Sequence, residues 1–317
     1  MTIDILNEGK RRIARKRDAS RWALFSNGLL LVLKVIVGII TGSVAVFAEV
    51  VNSAADLVGA IIVYFSVKRS DEPPDETHAY GHGKIENLSG IVVATLIVIG
   101  GLVTIWQAFL RLLHPAPLVN IDWAVAVMGV SAILNGLVSR RLLAVGRSTE
   151  SPALIADAHH LRTDVLTSIG VLVGLVLVRV TDVHSWDSIT AVGVSFLILK
   201  VGYEVARDAV DMLADRALPE AEIKLLEAVL RNNPEVRGFH RLRTRKAGSQ
   251  RHADVHVLLD DDYPLVVAHR LAEDLEDEMR AALPNLDPMV HPEPYLEETR
   301  HQRDEHGYTD QNMTPSA

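Results

Sequence analysis

The sequence predicts an α-helical membrane protein with six transmembrane helices, followed by a small α+β domain in the cytoplasm. Three observations support this fold class. Long apolar runs dominate the chain from Trp22 to about Val205, although 23% of the 317 residues are charged. Lysine and arginine gather in alternate connections between these runs, which is typical of cytoplasmic loops. After Leu218-Pro219 the chain changes to alternating, charged segments like those of a soluble domain.

Composition excludes several kinds of protein. The chain has no cysteine, which excludes disulfides, thiolate metal sites and cysteine nucleophiles. Its net charge of −8 argues against a nucleic-acid partner, because binding nucleic acid normally requires a basic face. The N-terminal segment is long and charged and shows no short apolar run with a cleavage site, so we expect no signal peptide.

Six apolar segments are long enough to cross a hydrocarbon core of about 30 Å, which needs about 20 helical residues. They lie at Trp22–Gly42, Ser43–Val67, Glu86–Phe109, Ile121–Leu143, Asp157–Val180 and Trp186–Val205. The first two are almost continuous and should form a tight helical hairpin. We therefore expect a basic cytoplasmic tail at 1–21 and a transmembrane domain at 22–205.

The placement of lysine and arginine predicts the orientation of these spans. Basic residues concentrate in the N-terminal tail and in the second and fourth connections: Lys10, Arg11, Arg12, Arg15, Lys16, Arg17, Arg21, Lys68, Arg69, Lys84, Arg140, Arg141 and Arg147. The opposite connections are poor in such charges. An even number of spans then places both termini in the cytoplasm.

The segment 206–297 is predicted to be a small α+β domain with the element order αββαβ. Helical patterns at Ala221–Leu230 and Pro264–Leu283 enclose two alternating strands, and a short strand follows. The strands are predicted at Val236–Arg245, Arg251–Leu259 and Asp287–His291. From Glu298 the chain is polar, so 298–317 is predicted to be a disordered tail.

Two of the predicted spans carry ionisable side chains at matching spacing. Asn52 and Asp56 are four residues apart in the second span, and His160 and Asp164 are four apart in the fifth. Each pair therefore shares one helix face. Charged groups in the bilayer cost several kcal/mol, so they normally face the bundle interior and act there. Together they predict a four-ligand site for a divalent transition ion, since imidazole suits zinc, iron, cobalt or nickel and oxygen ligands extend the range to manganese.

Further polar residues lie next to these pairs on both predicted spans. Glu49 and Asp157 each lie one turn before a predicted ligand pair and are accessory candidates. His159 points about 100° away round the helix, and we interpret it as a packing or gate residue. The alternative to a metal site is an interhelical clamp or salt bridge, for example with Lys34 or Arg162.

Two groups of histidines outside the spans have ligand-like spacing. Asp75, His78 and His82, in the connection after the second span, could hold a second ion, or could be ordinary solvated loop residues. In the soluble domain, the period of two in the second strand places His252 and His256 on one face. Neighbouring elements add imidazoles: His240, His269 and His291. This set suggests metal binding at a subunit interface, the alternative being a histidine-rich surface that binds no ion.

Four motifs together resemble the cation diffusion facilitator family, most closely its bacterial ferrous-iron/zinc efflux branch. They are the segment that ends at Asp56, the pair His160–Asp164, the loop Tyr80-Gly81-His82-Gly83-Lys84-Ile85-Glu86, and the junction Asp215-Arg216-Ala217-Leu218-Pro219. The resemblance covers nearly the whole chain, from about Ala19 to Pro294.

The resemblance implies a metallochaperone-like fold for the C-terminal domain, three sets of metal ligands and a homodimer. The transport site would comprise Asn52, Asp56, His160 and Asp164, and the loop site Asp75, His78 and His82. The C-terminal binuclear site would comprise His240, His256, His269, His291 and Glu293, with His252 as a possible accessory. The dimer would be held partly by a salt bridge between Lys84 and Asp215.

One position departs from the pattern of the family. Asn52 stands where the zinc and iron members normally have aspartate or histidine. Its neutral carbonyl removes one negative charge, which weakens affinity for a divalent ion or shifts selectivity toward ions such as manganese. Glu49, one turn earlier, would restore that charge or carry a proton.

These features predict a dimeric, proton-coupled exporter in a bacterial inner membrane. The expected cargo is zinc, iron or manganese, with cobalt, nickel and cadmium as further candidates. Protons on His160 and a carboxylate would compete with the ion for the site. We expect no prosthetic group and no enzymatic activity. The alternatives are a membrane-anchored metal sensor, disfavoured by the cost of the intramembrane charges, and an enzyme that uses zinc-activated water, disfavoured because no HExxH occurs.

Overall fold

The computed structural model describes residues 2–41, 44–113, 121–181, 185–306 and 314–315. Within these ranges the side chains at 2–8, 41, 44–49, 111–112, 121–125, 127, 171, 175, 178–179, 185, 187, 301–306 and 314–315 lie outside the description. The chain forms two compact units, Met1–Val210 and Asp211–Ala317.

Six long helices build the first unit. They are α1 (Thr2–Thr41), α2 (Val44–Ser70), α3 (Lys84–Leu113), α4 (Ile121–Thr149), α5 (Pro152–Thr181) and α6 (Ser185–Leu213). Among the described residues, five of them contain a stretch long and apolar enough to cross a membrane: Gly9–Ile40, Val50–Ser70, Lys84–Leu110, Met128–Thr149 and Ser188–Leu213. Helix α5 has 30 residues, but polar site residues occupy its first half. The prediction of a helical transmembrane domain is confirmed.

The basic segment at 1–21, predicted as a tail, forms the first half of α1 from Thr2 onward. Lys16, Ala19, Ser20 and Ala23 are buried, and they recur at the three- and four-residue spacing of one helix face. This face packs against α2 and α4. Packing, rather than charge, therefore decides the structure of this segment.

A sharp turn joins α4 to α5. Glu150 adopts the left-handed region at φ 52°, and the Ser151 N–H donates to the carbonyl of Gly146 at 2.9 Å. Further along α5, a Cβ on Gly170 would lie 2.5 Å from Cγ2 of Val194 in α6, so the glycine permits close approach of the two helices.

The second unit contains the predicted αββαβ order. It comprises α7 (Glu220–Asn232), β1 (Gly238–Ala247), β2 (Gln250–Leu259), α8 (Leu265–Ala282), β3 (Leu286–Pro294), α9 (Tyr295–His306) and β4 (Thr314–Pro315). The sheet order is β3-β2-β1-β4, with β1 antiparallel and β3 parallel to β2. Helices α7 and α8 bury Leu226, Leu230, Leu275 and Met279 against the sheet, so this unit has its own hydrophobic core.

Helix α9 (Tyr295–His306) extends into the segment from Glu298 that is predicted to be disordered, and the disorder of the tail stays a prediction. The carboxylate of Asp261 accepts hydrogen bonds from the N–H groups of Leu296 at 3.0 Å and Glu297 at 3.3 Å. This caps the first turn from a distant part of the chain, and acidic residues in that turn suit the positive end of the helix dipole.

Candidate metal centres

The described residues bring three groups of histidine and carboxylate side chains together. In each group, the candidate ligand atoms all lie within 4.8 Å of one another. The groups are the intramembrane cluster (Asp56, His160, Asp164), the loop cluster (Asp75, His78, His82) and the C-terminal cluster (His240, His256, Glu293). Each lies within one of the three sets of ligands predicted from the sequence.

The intramembrane cluster is formed where α2 packs against α5. Asp56 comes from α2, while His160 and Asp164 lie one turn apart on α5. The His160 Nε2 lies 3.2 Å from Oδ1 of Asp56, and both residues are buried. In the part of the chain that the structure describes, His160 Nδ1 is buried and makes no hydrogen bond. Two carboxylates and one imidazole directed at one point form a donor set suited to a divalent transition ion.

The remaining residues predicted for this cluster lie beside it. Asn52 is one turn before Asp56 on α2, and its side chain is exposed. Asp157 is one turn before His160 and almost fully buried, and its Oδ2 makes no hydrogen bond among the described residues. The side chain of Glu49 lies outside the described residues. The assignment of Asn52 as the fourth ligand therefore stays a prediction.

In the loop cluster, backbone N–H groups of the loop hold the carboxylate of Asp75. Asp75 Oδ1 accepts hydrogen bonds from the N–H groups of Thr77 at 2.9 Å and His78 at 2.7 Å. The bond from His78 is the main cause that holds the pKa of Asp75 below its ordinary value. His82 Nε2 lies 3.2 Å from Oδ2 of Asp75, and the two imidazole rings are 4.6 Å apart. Gly81, at φ 78°, provides the left-handed turn between the two histidines.

Strand register creates the C-terminal cluster. His240 of β1 pairs with His256 of β2, which pairs with His291 of β3. His240 Nε2 and His256 Nδ1 lie 2.7 Å and 2.6 Å from the two carboxylate oxygens of Glu293. The His291 ring lies 4.9 Å from that of His256. Burial raises the pKa of Glu293, but the histidine contacts outweigh it and keep this pKa below its ordinary value.

Two histidines predicted for the C-terminal site lie outside this cluster. His269 is on α8, where its side chain is 70% exposed and lies 3.6 Å from Glu273. His252 is buried on β2, with Nδ1 3.4 Å from Oδ2 of Asp287. The face of α8 that carries His269 points to solvent. Within a single chain, His269 therefore does not reach the other ligands of the C-terminal cluster.

The predicted bridge between Lys84 and Asp215 would join two chains, and it stays a prediction. Within its own domain, Asp215 adopts φ 58° and lies 3.5 Å from Nη1 of Arg245.

Sequence reasoning missed a buried charge network at one end of the helical bundle. Lys16 Nζ lies 2.5 Å from Oδ1 of Asp71 and 2.8 Å from Oε1 of Glu86. Glu86 also accepts hydrogen bonds from the hydroxyl groups of Ser70 and Ser151. Burial raises the pKa of Asp71 and outweighs the opposing effect of Lys16. The sequence signal for this network is that Lys16 shares a helix face with small residues, in a segment otherwise dominated by arginine and lysine.

The chain resembles known cation efflux proteins over most of its length. The family model for the cation efflux transmembrane domain matches residues 20–214, and the model for the cytoplasmic domain of cation efflux proteins matches residues 218–295. A cation-efflux pump FieF from Pectobacterium atrosepticum is 35% identical over 285 residues, which cover 87% of this chain and 91% of the relative. FieF from Klebsiella pneumoniae is 32% identical over 294 residues, covering 91% and 95% of the two chains.

Two solved structures that the chain resembles each correspond to about a quarter of its length. The Zn form of the zinc transporter candidate CzrB is 34% identical and covers 25% of this chain and 92% of its own, with a TM-score of 0.24. The metal-bound C-terminal domain of the CzcD transporter from Thermotoga maritima is 26% identical and covers 24% and 94%, with a TM-score of 0.23.

Proposed function

We infer the function from one premise: the chain belongs to the cation efflux family. Its membrane unit matches the transmembrane model of that family, and its second unit matches the family's cytoplasmic domain. This membership confirms the resemblance drawn from the sequence motifs. We propose that the protein exports divalent transition-metal ions from the cytoplasm as a homodimer in a bacterial inner membrane, with both termini cytoplasmic.

The intramembrane cluster is the observation that carries this proposal. Asp56, His160 and Asp164 lie on helices of the membrane unit, where ionisable groups are costly. A protein that only anchored a sensor in the membrane would not need them. The cluster also offers no hydrolytic machinery that a soluble substrate could reach, so we propose a transporter and not an enzyme.

The residues of the cluster suggest how an ion is bound and released. A metal ion binds ionised carboxylates and neutral imidazole, so an ion that arrives from the cytoplasm competes with protons for the ligand atoms of Asp56, His160 and Asp164. After the bundle exposes the cluster to the opposite side, protons return to the same atoms and displace the ion. Imidazole titrates near neutral pH, which suits it to this exchange. The export of metal is then driven by the inward movement of protons.

The donor set limits the choice of cargo. One imidazole with two carboxylates accepts zinc and ferrous iron, and oxygen donors favour manganese more than a histidine-rich site would. The relatives are named as cation-efflux pumps. We propose zinc or iron as the main cargo and manganese as a further one, since Asn52 as the predicted fourth ligand would add a neutral oxygen in place of a charged one.

Flux into proteoliposomes tests the proposal. Zinc uptake is measured with a fluorescent indicator, with and without a pH gradient, for the wild type, Asp56→Asn and Asp18→Asn. Asp18 is the matched control, because it is an exposed carboxylate on α1 paired with Arg141 at 2.5 Å, outside the three clusters. We expect flux that follows the gradient in the wild type and control and falls to that of empty liposomes in Asp56→Asn. Full flux in Asp56→Asn would show that the cluster is wrongly assigned.

A further inference from the structure

The network around Lys16 contacts the chain just before and just after the loop cluster. Asp71 lies four residues before Asp75, the first ligand of the loop, and Glu86 lies four residues after His82, the last one. A single ammonium group from α1 contacts both carboxylates. The loop therefore begins and ends on the same buried cation.

All three charged groups are removed from water. The side chains of Lys16, Asp71 and Glu86 are 1%, 6% and 1% exposed. A buried ion pair is weak evidence for stability, because an apolar replacement of similar volume is often as stable. Its position beside a ligand loop is better explained by the geometry that it imposes on that loop. We call Lys16, Asp71 and Glu86 the ionic lock.

On the Asp71 side, the ionic lock controls the orientation of the His82 ring. The next residue, Glu72, presents its carbonyl oxygen 3.4 Å from Nδ1 of His82. An Nδ1–H group that donates to this carbonyl leaves the lone pair of Nε2 directed at Asp75, 3.2 Å away. A shift of Asp71 would move the Glu72 carbonyl and release the ring.

On the Glu86 side, the ionic lock fixes the main chain of His82. The N–H of Ile85 donates to the carbonyl of His82 at 3.0 Å, at the first turn of α3. Glu86, the following residue, is held by Lys16 and also by the hydroxyl groups of Ser70, the last residue of α2, and Ser151, which precedes α5. The main chain and side chain of His82 are thus each bonded to the sequence neighbour of a member of the ionic lock.

We propose that Lys16 is a positioning residue for the loop cluster: through Asp71 and Glu86 it orients His82 so that Asp75, His78 and His82 are ready to bind a divalent transition ion. The proposal rests on the loop cluster being a metal site. It predicts that an ion can be lost from the loop by a substitution on α1, outside the loop itself. Loss of groups that orient a metal ligand typically lowers metal affinity about 10- to 100-fold.

The test measures Co²⁺ binding to the full chain in detergent. Asp56→Asn and Glu293→Gln are present in every sample, so that the other two clusters are weakened. Visible absorption reports both the affinity and the coordination geometry of Co²⁺. Into this background we introduce Lys16→Met, which keeps the length of the side chain and removes its charge. Arg15→Met, at the preceding exposed position of α1, is the matched control.

We expect Lys16→Met to weaken Co²⁺ binding at least about tenfold and to change its spectrum, while Arg15→Met leaves both unchanged. If Lys16→Met does not fold, Lys16→Met with Asp71→Asn reduces the buried negative charge and is tested in its place. A folded Lys16 variant that keeps the affinity and spectrum of the background would overturn the proposal. If the background protein with Asp56→Asn and Glu293→Gln shows no Co²⁺ binding that is lost when His82 is replaced, the loop site and the proposal are overturned together. Zinc flux of the wild type, measured separately, tests export independently of either result.

Discussion

Replacing Glu293 with glutamine should greatly weaken metal binding by the C-terminal cluster. The carboxylate of Glu293 lies between His240 and His256, at 2.7 Å and 2.6 Å. It is the only carboxylate of that cluster as the described residues define it. Glutamine keeps the length and shape of the side chain and removes one negative charge, so the change is mainly electrostatic.

The size of the effect follows from the charges. Two unit charges 4 Å apart attract each other by about 1 kcal/mol in water, so a carboxylate and a divalent ion gain about 2 kcal/mol. Since about 1.4 kcal/mol corresponds to a factor of ten, the loss is about 30-fold in affinity. The side chain of Glu293 is only 13% exposed, and lower solvent screening makes this value a minimum.

The assay is titration calorimetry of Zn²⁺ into residues 211–317, which form a compact unit with its own core. Glu278→Gln is the control, because Glu278 is an exposed carboxylate of α8. Circular dichroism without metal verifies that each variant is folded. An unchanged dissociation constant in folded Glu293→Gln would refute the assignment of this cluster as a metal site.

Two further predictions concern packing and stability. Glu222 accepts two hydrogen bonds of 2.8 Å from Arg251, and these lower its pKa, so Glu222→Gln should cost about 1.5–3 kcal/mol at pH 7 in thermal unfolding of residues 211–317. The stability that this pair contributes is present above the ordinary glutamate pKa and is lost as the pH falls through the lowered pKa of Glu222. If the wild type and Glu222→Gln lose equal stability on acidification, the role of the pair is contradicted. Gly170→Leu should destabilise the bundle by about 1–3 kcal/mol, because a Cβ would lie 2.5 Å from Cγ2 of Val194. Gly100→Leu, at a position with open space for a Cβ, is the control in the thermal unfolding assay, and equal melting temperatures would refute the argument.

The elements that depend on local pattern could be predicted from the sequence. Apolar runs longer than a bilayer crossing gave the six helices, and alternation gave the strands that carry His240 and His256. The loop cluster was also predictable, since its three residues lie within eight positions of one another. The intramembrane pair His160 and Asp164 follows from helix periodicity alone.

Features that depend on contacts between distant segments could not be read from the sequence. The charge of Lys16 suggested a solvated tail, whereas its position on a helix face with Ala19 and Ala23 buries it. Helix α9 is capped by Asp261, which is more than thirty residues away. The separation of His269 from the C-terminal cluster depends on which face of α8 packs on the sheet. The amphipathic pattern of α8 does not decide this, because His269 lies near the boundary between the apolar and polar faces of the helix.

The ionic lock also constrains the order in which the protein assembles. A chain is synthesised from its N-terminus, so Lys16 leaves the ribosome 70 residues before Glu86, and Glu86 65 residues before Ser151. Until Asp71 and Glu86 have been synthesised, the partners of the ammonium group do not yet exist. This early charge therefore gains its partners only when the end of α2 and the start of α3 have been made, and the full set of contacts to Glu86 also requires Ser151 at the start of α5.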